Sequence, residues 1–435
     1  MIYRLLFTLF LIAFDNCLAQ QAYHTPIDTS NIAYRNHLKE LYKERSAKTL
    51  LSYTNFTDKN LRKAFVAAYK ELNSEFITKV DNGHFAQVPL YEEQINILIN
   101  QIVSANPQYS ALISAQILLS FAESPNAFAL GDGFVVVNIP LLARLENEHE
   151  LAFIICHEFA HNLLNHPQNG LKEYVELKTS PELKKRAREI DRKKYNKAEE
   201  ASGLYRNIIY ANRRKHREVE FQADSLGFIL YKNAFKGKES AALKCLSTLN
   251  RIDKEKDSLQ PDNYKYLFSS DRQSFKEEWL NNEENNNYKY DRNLQFWQID
   301  SLKTHPDCTE RVKRLQTVFN VTDDIVNIPA TKYDKLISQA KYDHILGLYI
   351  LQEYGKSLYE TLLLLKDNYE DLYLRKMVHS NLLKIQEAQS NYAMNKYVET
   401  VSPHNSGSYN TFLIFLRNLR KAEMAEIINQ YTTKI

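Results

Sequence analysis

The stretch CHEFAHNLLNH, residues 156–166, sets two histidines four positions apart with a glutamate directly after the first. On an α-helix such positions lie one turn apart on the same face, so His157 and His161 can close on one metal ion. Glu158 is turned about 100° away and can reach a water on that ion without ligating it. That is the apparatus of metal-assisted hydrolysis. The competing interpretation is an ordinary exposed helix, because a chain with 12 histidines can spell so short a motif by chance. The flanks argue against it. LAFIICHEFAHNLL is apolar on both sides of the polar triplet, and a buried His-Glu-His cluster without a partner would be costly.

A hydrolytic zinc site needs a third protein ligand and an open position for water. His166 is the nearest candidate, five residues after His161. The pattern HExxHxxGxxH is absent, since Leu164 stands where its glycine would be, and His166 reads as a helix-end residue. The segment EFQAD is the better candidate. Glu220 and Asp224 are again spaced i and i+4, with apolar neighbours Val219, Phe221 and Leu226. Glu220 would bind the metal, and Asp224 would accept the free ring N–H of a ligand histidine, fixing its tautomer. Taken alone, the pair also fits two exposed acids on a helix.

These residues need elements to hold them. Residues 33–110 repeat apolar positions at three and four spacing and predict helices. ALISAQILLSFAES fits either a buried strand or a helix end. NAFALGDGFVVVN, 126–138, is β-branched and aromatic around a Gly131-Asp132-Gly133 turn, which predicts a hairpin. A helix follows through the histidine motif, broken near Glu146–Asn147 and ended by Pro167. Another starts at Pro181 with Ser180 as its cap. It carries a basic run, Lys184 to Lys194, which reads as a solvated face or a surface for an acidic partner. Residues 216–231 form the next helix. Residues 252–300 are polar and Asn-rich, a loop or insertion. From about residue 330 the pattern is helical to the end and fits stacked hairpins, without a fixed repeat period.

A length of 435 residues favours two domains. The net charge of +3 is too small to argue for nucleic acid. The first residues, MIYRLLFTLFLIAFDNCLAQ, read as a cleavable signal peptide with a cut after Ala19. Their apolar run is about 10 residues, and a membrane span takes about 20. The mature chain is therefore expected to lack an integral membrane span and to be periplasmic or secreted. Cys156, Cys245 and Cys308 remain after cleavage, too few for a disulfide framework, although a Cys245–Cys308 bridge is conceivable.

Four blocks now stand in order between residues 126 and 316: NAFALGDGFVVVN, LLARLENEHELAFIICHEFAHNLLNH, REVEFQADSLG and THPDCTERVKRL. Together they resemble the HtpX and CaaX prenyl-protease family of zinc metallopeptidases, in its soluble, secreted branch that handles misfolded envelope proteins. The resemblance implies a mainly α (α+β) fold: a gluzincin-type domain with a small β-sheet beside the HExxH helix, over 20–325, and an all-helical region over 326–435. It implies one zinc ion per chain held by His157, His161 and Glu220, with Glu158 as general base and Asp224 as supporting acid. The family's "HP" histidine falls on His305, as a fourth ligand or a group near the transition state, and its following arginine falls on Arg311. Asn126, Ala127, Phe128, Ala129 and Leu130 fall on the edge strand along which a protein or peptide substrate would lie. Many relatives carry four transmembrane helices, and this chain has none beyond the signal. The expected function is a zinc metalloendopeptidase for unfolded or misassembled envelope proteins. The alternative from another class is a latent zinc-containing chaperone or assembly factor, meeting an envelope partner through its C-terminal helices.

Overall fold

The computed structural model describes residues 31–52, 58–192, 217–254, 258–281, 308–322, 333–402 and 405–433. The signal peptide, residues 255–257 and 282–300 of the Asn-rich segment, part of the basic run and His305 lie outside the described residues. The described chain is mainly α with one small four-stranded sheet, as expected. It divides into two compact units. One comprises the described residues up to Ser120, Ser124–Cys245 and Glu310–Tyr342; the other comprises Phe121–Glu123, those of Leu246–Thr309, and Asp343 onward. No described helix is long and apolar enough to cross a membrane.

The first unit opens with helices α1 (Ile32–Ser52) and α2 (Lys59–Asp81). Asp58 starts α2 by accepting the amides of Asn60 and Leu61, which would otherwise lack partners. Strand β1 (Phe85–Ala86), helix α3 (Pro89–Ala105) and strand β2 (Gln116–Ser120) follow, so the ambiguous apolar run resolves as a strand. Then come β3 (Ala127–Gly131) and β4 (Phe134–Asn138), in the sheet order β1-β2-β4-β3. β4 is parallel to β2 and antiparallel to β3. Strands flank it on both sides, and all five of its residues are buried, which accounts for its unbroken FVVVN run. Tyr42, Phe76 and Val80 of α1 and α2 pack on Leu118, Phe134 and Val136 of the sheet.

The β3–β4 turn occurs where the sequence places it. Gly131, Asp132 and Gly133 all have positive φ, at 88°, 56° and 78°, a conformation glycine and aspartate tolerate best. The Asp132 carboxylate accepts hydrogen bonds from Tyr69 and Thr49, which pins the hairpin tip to α1 and α2.

The helical stretch after β4 breaks as expected. A single turn, α4 (Ile139–Leu142), ends first, and Asn147 then starts α5 (Glu148–Leu163) by accepting the amides of His149 and Glu150. Pro167 does not end this helix. α5 stops at Leu163, Asn165 turns the chain in the left-handed region, and Pro167 sits in the first turn of α6 (His166–Thr179), where its missing N–H costs nothing. Helix α7 (Pro181–Arg192) follows, with the Ser180 hydroxyl accepting from the Leu183 amide. Helix α8 spans 217–234. Helix α9 (Ser240–Lys254) follows, and farther along the chain α11 (Cys308–Phe319) carries Arg311.

Part of the stretch expected to be loop is ordered. Helix α10 (Pro261–Phe268) and a 3-10 turn (Glu277–Leu280) bury Tyr264, Leu267, Phe268 and Trp279 in the second unit. Helices α12 (Tyr333–Ile350), α13 (Tyr354–Leu365), α14 (Leu372–Ser390), α15 (Gly407–Asn418) and α16 (Lys421–Thr432) follow. α13 packs on α14, and α14 on α16. Cys156, Cys245 and Cys308 are all buried free thiols, so the conceivable bridge is absent.

Candidate metal centre

α5 is the central helix of the first unit. Every residue from Glu150 to Ala160 is buried, because LAFIIC is apolar around the whole helix rather than on one stripe. This carries His157 and Glu158 inside, at 8% and 7% exposure. α8 supplies the opposing face with Glu220 and Asp224. The approach of the two helices depends on Gly227: a Cβ there would lie 2.8 Å from His157 Cα, a distance that side chains essentially never tolerate. The missing side chain brings the α8 carboxylates within reach of the α5 rings.

The Nε2 atoms of His157 and His161 are 3.1 Å apart. Glu220 places Oε2 3.4 Å from Nε2 of His157 and Oε1 3.5 Å from Nε2 of His161. Each residue offers one ligand atom, and these all lie within 4.8 Å of one another. Tetrahedral zinc, with bonds of about 2.0–2.2 Å, requires donors about 3.3 Å apart. The spacing fits, and two imidazoles with one carboxylate is the donor set of a catalytic zinc site that keeps an open position. His166 is not part of it. Its ring stands behind His161, with the two Nδ1 atoms 3.0 Å apart.

Asp224 sits on the far side of His157, with Oδ1 3.0 Å from Nδ1. Its carboxylate is also gripped by Arg311 of α11, with Nε and Nη2 each 2.7 Å from a carboxylate oxygen. Both side chains are 2% exposed, and Arg311 Nη1 lies 3.4 Å from Glu220 Oε2. A paired, charge-assisted contact of this kind is strong and directional. Here it fixes the Asp224 carboxylate against the ring.

The charges show in the acidities of the protein without an ion. Burial works against a charged His157, but the Asp224 and Glu220 carboxylates outweigh it and raise the ring to about 10. Burial and the neighbouring His157 lower His161 to about 3. Burial would raise Glu220, but His157 and Arg311 hold it well below the usual carboxylate range. Burial pushes Glu158 up to about 7; His157 draws it down, Glu220 pushes it further up, and a hydrogen bond from the Ala129 amide draws it down. A pKa near the working pH suits a group that both takes and returns a proton.

The Ala129 contact ties Glu158 to the edge of the sheet. The Asn138 amide donates to the Asn126 carbonyl at 2.9 Å, and the register pairs Ala127 with Val137 and Ala129 with Val135. In an antiparallel ladder the backbone groups of alternate residues face away from the partner strand. Ala127 and Ala129 are those residues on β3, at the end of the sheet order. The Ala129 N–H holds Glu158, while the Ala129 carbonyl and both Ala127 groups point off the edge. Phe128 is 38% exposed, and Leu130 is half-buried.

The sequence-selected residues His157, Glu158, His161, Glu220, Asp224, Arg311 and Ala129 thus converge. Two contributors were not named from sequence, Gly227 and Gln222, whose Oε1 lies 3.2 Å from Nε2 of His166; His166 was weighed there only as a ligand and as a helix end. Gly227 carries a signal only in retrospect, as the glycine of SLG on an apolar helix.

Two imidazoles and a carboxylate on facing helices, a buried glutamate beside them and an edge strand whose alternate backbone groups face away from the sheet define the site of a metallopeptidase. The family model for peptidase family M48 matches residues 92–318. That is over half of the chain, and the chain belongs to peptidase family M48, a family of zinc metallopeptidases, in agreement with its HtpX-like and CaaX prenyl-protease-like motifs. No curated protein matches it.

Proposed function

We propose that this chain is a zinc-dependent endopeptidase acting on unfolded or misassembled proteins outside the cytoplasm. The observation carrying the proposal is the His157–His161–Glu220 triad, with Glu158 buried beside it and anchored to the β3 edge. His157, His161 and Glu220 would hold the ion, and zinc bound there supplies Lewis acidity for the scissile carbonyl and acidifies a water. The Glu158 carboxylate takes the proton from the attacking water and delivers it to the leaving amine. The Ala129 N–H holds that carboxylate in place. The outward backbone groups of Ala127 and Ala129 receive the substrate as an added strand, which suits an extended, unfolded chain. His305, assigned by resemblance, would close over the site or steady the oxyanion. The signal-like N-terminus supports an extracytoplasmic location, and the four-motif resemblance supports envelope substrates, with 20–325 as the peptidase domain and the helices of 326–435 as a surface for an assembly partner.

The test is zinc content and casein cleavage on the mature chain, residues 20–435, for wild type, Glu158→Gln and His305→Ala. One zinc per chain, with cleavage lost in Glu158→Gln, is expected. Cleavage retained by Glu158→Gln would remove the assigned base. Zinc without cleavage in wild type and His305→Ala would replace the peptidase by the latent chaperone.

A further inference from the structure

His166 and Gln222 are unclaimed by the mechanism, yet they are the polar groups that back His161. The turn after α5 accounts for their position. Asn165, at φ 55° and ψ 31°, reverses the chain, and His166, at the start of α6, folds its ring edge-on against His161. The ring centroids are 4.9 Å apart at 74°. Nδ1 of His166 faces Nδ1 of His161 at 3.0 Å, and Nε2 of His166 faces Gln222 Oε1 at 3.2 Å.

The hydrogens follow from the acceptors. An amide oxygen accepts only, so Nε2 of His166 carries the proton and its Nδ1 keeps a lone pair. That lone pair accepts Nδ1–H of His161, which leaves the Nε2 lone pair of His161 directed at His157 and Glu220. A histidine that ligates through Nε2 needs this tautomer.

We infer that His166 is a positioning residue for the metal site: a Gln222–His166–His161 hydrogen-bond relay fixes the tautomer and orientation of His161. The inference rests on the zinc reading of the triad. His157 is held by the Asp224–Arg311 ion pair, and His161 by a neutral relay on the opposite side.

The experiment measures zinc affinity on the full mature chain against a chromophoric chelator, with the d–d spectrum of the cobalt-substituted protein and melting of the metal-free protein recorded alongside. His166→Leu removes the acceptor and is expected to weaken zinc about 10–100-fold. His166→Asn places an oxygen near the Nδ1 position and is expected to stay within about threefold of wild type. Gln222→Glu makes the relay anionic and is expected to tighten zinc several-fold and shift the cobalt spectrum. Equal losses in His166→Leu and His166→Asn, or no loss in either, would overturn the relay. Should metal-free His166→Leu fail to melt cooperatively, Gln222→Glu decides alone, and unchanged or weaker binding there overturns the relay. A wild type that binds no zinc would instead overturn the metal site on which the relay depends.

Discussion

His157 and His161 stand one turn apart on the same helix, and the regions behind them differ in kind. Behind His157 lies a buried ion pair, Asp224 with Arg311, contributed by α8 and α11. Behind His161 lies a pair of neutral groups, the half-buried His166 and the exposed Gln222, contributed by the α5–α6 turn and the exposed face of α8. The motif is symmetric in sequence, but its support is not. The charged side raises the His157 ring to about 10, whereas His161, without a carboxylate on its Nδ1, is lowered to about 3 by burial and by His157. The lesson is that one histidine is held by electrostatics that also stabilise the fold, and the other by hydrogen-bond direction alone.

The widest gap between the two sides should appear in stability. Arg311→Met leaves the Asp224 carboxylate buried without its strongest partner and is expected to cost about 3–5 kcal/mol, read by denaturant unfolding of the metal-free chain. Gln222→Leu on the neutral side should change it by under about 0.5 kcal/mol, since Gln222 is exposed. Equal costs would break the comparison.

Asp224→Asn keeps the shape of the charged backing and removes its charge. Zinc affinity is expected to fall about 10–100-fold, and the raised pKa of His157 should drop, as followed by NMR titration of its ring. An unchanged His157 titration would show that Glu220 alone sustains the charge.

Gly227→Ala tests the approach of the helices rather than either backing. The added methyl meets the His157 backbone at 2.8 Å and is expected to cost about 1–3 kcal/mol as α8 is pushed away. Zinc affinity should fall with it, because Glu220 and Asp224 ride on the same helix. Full stability with full zinc affinity would mean the helices separate without consequence for the site.

The smallest effect is a proton count. Without an ion, the folded His157 pKa of about 10 lies above its ordinary 6.5, so the ring is protonated at pH 7–9 and must lose that proton to ligate. Binding is expected to release about one proton per zinc in that range and to tighten as pH rises. His161, already neutral, should contribute none. Calorimetry in buffers of different ionisation enthalpy reads this directly; a release near zero would place His157 neutral before binding. The same raised pKa adds stability to the metal-free fold below pH 6.5 that is lost as pH rises through about 10.

The features legible from the residues alone are local. The spacing of His157, Glu158 and His161 places them on one helix whatever surrounds it. The Gly-Asp-Gly turn, the Asn147 break and the Ser180 start follow from backbone preferences that act over a few residues. Pro167 shows the limit of such cues: proline stops one helix or opens the next by the same chemistry, and the left-handed Asn165 decided which. Glu220, Asp224 and Arg311 were legible as candidates through spacing and resemblance, but not as partners. Their pairing depends on how closely α8 approaches α5, which Gly227 sets through an absent side chain that no periodicity records. Gln222, and the place of His166 behind His161, were illegible for a related reason. A hydrogen bond between a turn and a distant helix has no sequence period, so only the tertiary structure could decide that His161 is backed by a neutral relay and His157 by a buried ion pair.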